Sequence, residues 1–97
     1  MDNIELGGNI NLAGFKDLEP QKLIVIKKIV GNFVKKIQDH NKGFNNLIVN
    51  LKKIHNSESE ISAKITISNK TYNADTTDFN LFFALNKVFK KIEEQIP

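Results

Sequence analysis

The chain contains no cysteine and no arginine, and both absences narrow its possible chemistry. Without cysteine there can be no disulfide, thiolate metal site or cysteine nucleophile. Without arginine, the formal net charge of +3 rests entirely on lysines, which supply all 14 basic side chains. No apolar run approaches membrane-spanning length, and the N-terminus lacks the basic stretch and apolar core of a signal peptide. We therefore expect a cytoplasmic protein with no membrane partner.

The length predicts one domain over residues 1–97, with a single core and no room for a deep additional pocket. The two histidines, His40 and His55, do not have the spacing of a metal site. Asp75 and Asp78 flank a predicted helix start, where carboxylates serve as caps. No Gly-Lys-Ser/Thr follows the early glycines, so a phosphate loop is not predicted. We expect no enzyme activity, catalytic residue, metal, cofactor or small-molecule substrate.

Alternating apolar and polar residues predict four strands. Residues 4–12 alternate throughout, and Gly7-Gly8 suggests a bend or bulge within that strand. Three further alternating runs cover residues 46–54, 61–68 and 71–74. These three runs predict an antiparallel meander with one polar face.

Two amphipathic helices complete the predicted order βαβββα. The first covers residues 21–41 after Pro20, and the second follows a cap at Thr77 or Asp78 and continues to Ile96. This order predicts an α+β fold with one four-stranded sheet, two helices on one face and a parallel first pair of strands. The expected core contains Leu6, Ile10, Ile29, Phe33, Val49, Ile65, Leu85 and Phe89.

Lysines are concentrated on the two helices, and their placement favours a polyanion such as structured RNA as the partner. The candidate RNA-binding residues are Lys27, Lys28, Lys35, Lys36, Phe83, Lys87, Lys90 and Lys91. The same lysines are also typical of an ordinary solvated surface. Phe83 is predicted on the outer side of the second helix, where it could stack on a base, bind a protein partner or cover a loop.

Gly31 interrupts the first helix between Lys28 and Lys35. A glycine inside a helix costs about 1 kcal/mol relative to alanine. Simple tolerance or close packing would explain it. Alternatively, it leaves a bare patch of backbone where a phosphate could approach.

The predicted order and the segment 80–96, NLFFALNKVFKKIEEQI, resemble the ribosome hibernation-promoting factors, also called ribosome-associated inhibitors. Members of that family typically end with a helix reading approximately D-M-Y-A-A-I-D-x-x-x-D-K-L-E-R-Q-L. Asn80 stands at the first acid and residues 81–82 at Met-Tyr. Residues 84–86 then stand at Ala-Ile-Asp, and residues 91–96 at Lys-Leu-Glu-Arg-Gln-Leu.

The segment 5–12, ELGGNINL, is similar to the family's first strand. The resemblance implies a domain that binds rRNA in the decoding region of the small ribosomal subunit and inhibits translation by excluding mRNA and tRNA. The alternative is a protein-interaction module in which Phe79 and Phe83 form a contact in a homodimer or with another protein, and the lysine placement is incidental.

Overall fold

The computed structural model describes residues 3–53 and 57–97 as five strands and two helices. In chain order these are β1 (Asn3–Leu6), β2 (Ile10–Ala13), α1 (Pro20–His40), β3 (Phe44–Lys53), β4 (Ser59–Ile67), β5 (Lys70–Asp78) and α2 (Leu81–Gln95). The strands form one mixed sheet in the order β1-β2-β3-β4-β5. The predicted α+β class with two helices is confirmed. The predicted four-stranded sheet and βαβββα order are wrong, because the sheet has five strands.

The additional strand comes from the N-terminal segment, where alternation predicts one strand over residues 4–12. The structure has a hairpin there, in which Leu6 pairs with Ile10 and the chain reverses through the residues between them. Gly7 and Gly8 have φ values of 66° and 83°, which glycine adopts without steric cost. Leu6 and Ile10 are separated by an even number of positions, so the period-two alternation continues unchanged across the turn. A hairpin and a straight strand therefore give the same pattern.

The remaining strand pairings follow the prediction. β2 and β3 run parallel, with Ile10 opposite Leu47 and Leu12 opposite Val49. α1 forms the crossover between them, as parallel neighbours require. β3, β4 and β5 form the predicted antiparallel meander.

The meander strands have different bounds from those predicted. The largest difference is in β5, which is predicted over residues 71–74 and extends over Lys70–Asp78. β4 begins at Ser59, before its predicted start. Ile54, the predicted end of the preceding strand, and His55 lie outside the described residues.

One core lies between the sheet and the two helices. Phe33 of α1 and Phe89 of α2 join the helices, with ring centroids 4.0 Å apart and planes within 3° of parallel. Both rings are buried, as the prediction requires. Of the other predicted core residues, only Leu6 and Ile29 are partly rather than fully buried, and both pack against the same core.

The connection between β2 and α1 contributes a core residue that the alternation does not reveal. Phe15 is fully buried although it lies in the connection. The preceding Gly14 has a φ of 84°, and a Cβ at this position would collide with the carbonyl oxygen of Leu51. Gly14 therefore lets the chain pass close to β3 and turn the Phe15 ring inward.

Candidate nucleic-acid interface

The two helices lie side by side and run in the same direction. Besides the Phe33–Phe89 stack, the Nζ of Lys36 lies 3.1 Å from Oε2 of Glu93, one turn further along both helices. At the other end, Lys22 of α1 and Phe82 of α2 line one groove. The N-termini of both helices are therefore at the same end of the molecule, and their outward sides form one surface, here called the helical face.

Four exposed lysines on the helical face form what we call the basic patch: Lys27, Lys28, Lys35 and Lys90. Among the described residues, none of the four has a hydrogen-bonding or ion-pair partner. Unpaired ammonium groups on an exposed surface remain available to an anionic partner. The structure exposes these four lysines on the two helices, and their role in RNA binding stays a prediction.

Lys36 is placed differently from the basic patch. It pairs with Glu93 across the groove between the helices, and this groove is also lined by Asn32, Asn86 and Lys90. A phosphate that bound Lys36 would have to compete with the Glu93 carboxylate. Lys36 therefore connects the two helices as well as contributing charge to the surface between them.

Two more predicted RNA-binding lysines face the outer edge of β5. Lys87 Nζ donates to the carbonyl of Thr77 (3.3 Å), and Lys91 Nζ donates to that of Asp75 (3.1 Å). Gln95 Nε2 continues the series by donating to the carbonyl of Asn73 at 2.7 Å. The donors are four residues apart on α2, a rise of about 6 Å, and the acceptors are two residues apart on β5, a rise of about 6.8 Å. Because the two spacings nearly match, each donor lies next to an acceptor along the row.

This row of donors covers part of the exposed edge of the sheet. β5 is an edge strand, and its outward carbonyls would otherwise be open to another strand. Lys87 and Lys91 thus have a structural role that the sequence pattern does not reveal. The predicted strand, residues 71–74, is too short to reach the carbonyls of Thr77 and Asp75.

The start of α2 is capped by Asn80 rather than by the predicted Thr77 or Asp78. Asn80 Oδ1 accepts a hydrogen bond from the backbone N–H of Phe83 at 3.0 Å. Asp78 supports the cap, because its Oδ1 accepts from the backbone N–H of Asn80 (2.8 Å) and its Oδ2 lies 2.9 Å from Lys87 Nζ. The Asn80 N–H and, next, the Lys87 ammonium hold the pKa of Asp78 below its usual value.

Four exposed hydrophobic side chains form what we call the apolar patch: Ile24, Val25, Phe79 and Phe83. All four lie near the N-terminal ends of the helices. Phe83 is 62% exposed, so it does not cover a loop, and Phe79 is 68% exposed. Ile24 and Val25 were not identified from the sequence. Their signal is the run Leu23 to Ile26, in which four consecutive apolar residues exceed what one helical stripe can bury.

The opposite face of the sheet is covered by no other element of the described chain and carries polar and charged side chains. Asn50, Ser62 and Asp75 lie in one cross-strand row. Lys64 and Lys52 lie in neighbouring rows, with Lys52 directly opposite Glu60. This surface, here called the open sheet face, therefore mixes cations with acids.

The described residues contain no group of three or more histidine, aspartate or glutamate side chains placed to hold a metal ion. His40 lies exposed in the last turn of α1. Neither helix of the described chain is long and apolar enough to cross a membrane. No protein-family model matches the sequence, and no curated protein matches it significantly. The resemblance to hibernation factors therefore stays a prediction.

Proposed function

We propose that the protein is a non-enzymatic RNA-binding domain that attaches to small-subunit rRNA and inhibits translation in the cytoplasm. Its main support is the basic patch: Lys27, Lys28, Lys35 and Lys90 are exposed, unpaired within the described chain, and carried by two adjacent helices. The core fixes both helices, so the four charges are presented on a rigid support.

The mechanism is attachment through phosphates followed by steric occlusion. Each lysine that neutralises a phosphate releases counterions, which supplies affinity without reading sequence. The exposed ring of Phe83 lies at the same surface and can stack on an unpaired base. A domain held in this way blocks the RNA it covers by its volume and needs no catalytic group.

The ribosomal assignment rests on the similarity of the segment 80–96 to the last helix of hibernation factors. The architecture agrees only in part, because the hairpin of β1 and β2 replaces a single first strand. Small ribosomal subunits are therefore the first RNA to test, and large subunits are the matched comparison.

Sedimentation of the tagged protein with purified small and large subunits, over a salt series, tests this function. We expect the protein to sediment with small subunits. If all four lysines contact phosphates, the log–log salt slope should have a magnitude of about 2.8 to 3.6. Absence from the small-subunit fraction at low salt, or equal binding to both subunits, would contradict the ribosomal assignment.

A protein-interaction module is the second candidate function, and the apolar patch favours it. Two exposed phenylalanines, Phe79 and Phe83, and two exposed aliphatic residues of α1 lie near the N-terminal ends of the two helices. Exposed apolar clusters mark interaction sites in many proteins. Self-association through this patch would depend weakly on salt, whereas phosphate binding weakens steeply as salt rises.

A further inference from the structure

Gly31 has no packing reason to be a glycine. It lies on the exposed side of α1, and a Cβ at this position would meet no atom within 4 Å outside the helix's own backbone. Close packing therefore does not explain the residue. An exposed helix interior normally favours alanine or a longer helix-forming residue, so the helix is less stable than its surroundings allow.

Three lysines of the basic patch surround this position. Lys27 and Lys28 precede Gly31 by four and three residues, and Lys35 follows it by four, so all three are its neighbours on the helix surface. Helical side chains lean toward the N-terminus, so Lys35 extends over the turn that contains Gly31. The same lean points Lys27 and Lys28 away from Gly31, so these two reach an anion bound there by turning their flexible four-carbon stems back toward it. Within the described chain, no acidic side chain pairs with any of the three lysines.

We propose that Gly31 is the floor of a phosphate-binding site for the RNA backbone, with Lys27, Lys28 and Lys35 as its cationic walls. This inference rests on the proposed RNA-binding function and assigns one contact within it. The backbone N–H of Gly31 is used inside the helix, so the glycine supplies space rather than a donor. Without a side chain, a phosphate can approach the helix closely enough for all three ammonium groups to reach it.

Substitution of Gly31 should separate stability from binding. Gly31→Ala should raise the melting temperature by about 4 to 8 °C, because alanine is the better helix former. The methyl group that alanine adds would also occupy the space that the phosphate needs at Gly31. The dissociation constant for a small-subunit rRNA fragment should therefore rise about threefold in Gly31→Ala. It should rise about tenfold in Gly31→Leu, because the larger side chain keeps the phosphate further from the helix.

Gln38→Ala is the matched control. Gln38 is exposed in α1, seven residues after Gly31, and alanine is the better helix former there too. The Lys35 side chain leans away from Gln38, and the change leaves the Gly31 backbone uncovered, so the RNA affinity of this variant should equal that of the wild type. Anisotropy titration with the rRNA fragment and thermal melts of all four proteins provide both readouts.

Failure of the Gly31 site and failure of the proposed RNA-binding function would give different results. If the wild type binds RNA and both Gly31 variants bind it equally well, the phosphate site at Gly31 is wrong while the proposed function remains. If the wild type does not bind RNA, the proposed function fails and the site fails with it. Vesicles of phosphatidylserine and phosphatidylcholine form the second arm. A loss of vesicle binding in Gly31→Leu without a loss of RNA binding would assign the phosphate to a lipid headgroup and overturn the RNA contact.

Discussion

The helical face and the open sheet face carry lysines in different surroundings. On the helical face, Lys28 and Lys35 are exposed and have no partner among the described residues. On the open sheet face, Lys52 lies directly opposite Glu60, and Lys64 lies in the row next to Asp75. The described exposed hydrophobic residues also lie on the helical side, in the apolar patch. Both faces therefore carry lysines. On the helical face the lysines of the basic patch are unpaired within the described chain, whereas on the open sheet face the lysines lie beside acidic side chains.

This difference shows why lysine content is a weak indicator of function. A net charge of +3 is small for the chain as a whole. Acids on the open sheet face offset its lysines locally, and long-range fields follow such local sums. On the helical face, Glu93 is paired with Lys36, and within the described chain the exposed acids Asp39 and Glu94 form no ion pair with the basic patch. The lysines of the two helices outnumber these three acids, so the helical face remains positive. A polyanion should therefore distinguish between the two faces.

The largest expected effect concerns the stacked pair Phe33 and Phe89, which connects the two helices. Phe33→Ala or Phe89→Ala should lower the free energy of unfolding by about 3 to 5 kcal/mol, because a buried, stacked ring is lost. Phe83→Ala removes an exposed ring from the same helix and should change stability by less than about 0.5 kcal/mol. Urea denaturation of the three variants measures both. Equal stabilities for Phe89→Ala and Phe83→Ala would refute the described core.

The next effect concerns the exposed ring itself. If Phe83 stacks on a base, Phe83→Ala should weaken RNA binding by about 1 to 3 kcal/mol while the molecular mass stays unchanged. RNA titration and sedimentation equilibrium measure these two properties. If the substitution converts a dimer to a monomer and RNA binding is retained, Phe83 is a protein contact, and the second candidate function, a protein-interaction module, is supported.

Two adjacent lysines of α2 provide a sharper test, because they have different surroundings. Lys91 donates to the edge of β5, whereas Lys90 belongs to the basic patch. Lys91→Met should reduce stability by about 0.5 to 1 kcal/mol, with RNA affinity preserved. Lys90→Met should reduce RNA affinity and preserve stability.

Paired measurements of unfolding and RNA titration for Lys90→Met and Lys91→Met decide the point. If both variants lose the same stability and the same RNA affinity, the separate roles of Lys91 at the β5 edge and Lys90 in RNA binding are wrong. An increase in self-association of a double Lys87→Met/Lys91→Met variant would agree with an uncovered β5 edge.

The smallest expected effect is a pH dependence at the start of α2. The folded-state pKa of Asp78 is lowered from 3.8, so its contribution to stability is present above about pH 4 and is lost as the pH falls through the lower folded-state pKa. Asp78→Asn should therefore melt below the wild type at pH 7, and the difference should shrink below pH 4. Thermal melts across this range measure it. A constant difference at all pH values would contradict a role for the charged carboxylate.

Much of the fold could be predicted because its helices and strands bury regular stripes. The stacked rings of Phe33 and Phe89 both belong to such stripes. The N-terminal hairpin could not be separated from a single strand by alternation, although Gly7-Gly8 marked the position of the turn. Phe15 was missed because its burial follows from the conformation of one glycine rather than from a period.

The candidate site was predictable only in part. Helical periodicity placed Lys28, Lys35 and Phe83 on the outer side, where the structure has them. Periodicity does not identify hydrogen-bonding partners on other elements. The roles of Lys87 and Lys91 depend on where β5 ends, and strand ends are poorly defined by alternation.

The most direct test of the central claim compares equal charge changes on the two faces. Lys28→Gln/Lys35→Gln removes two charges from the helical face, and Lys52→Gln/Lys64→Gln removes two from the open sheet face. Binding to small ribosomal subunits over a salt series should give a log–log slope smaller by about 1.4 to 1.8 for the first pair. The second pair should retain the wild-type affinity and slope. Equal losses in both double variants, or no loss in the first, would contradict RNA binding by the helical face.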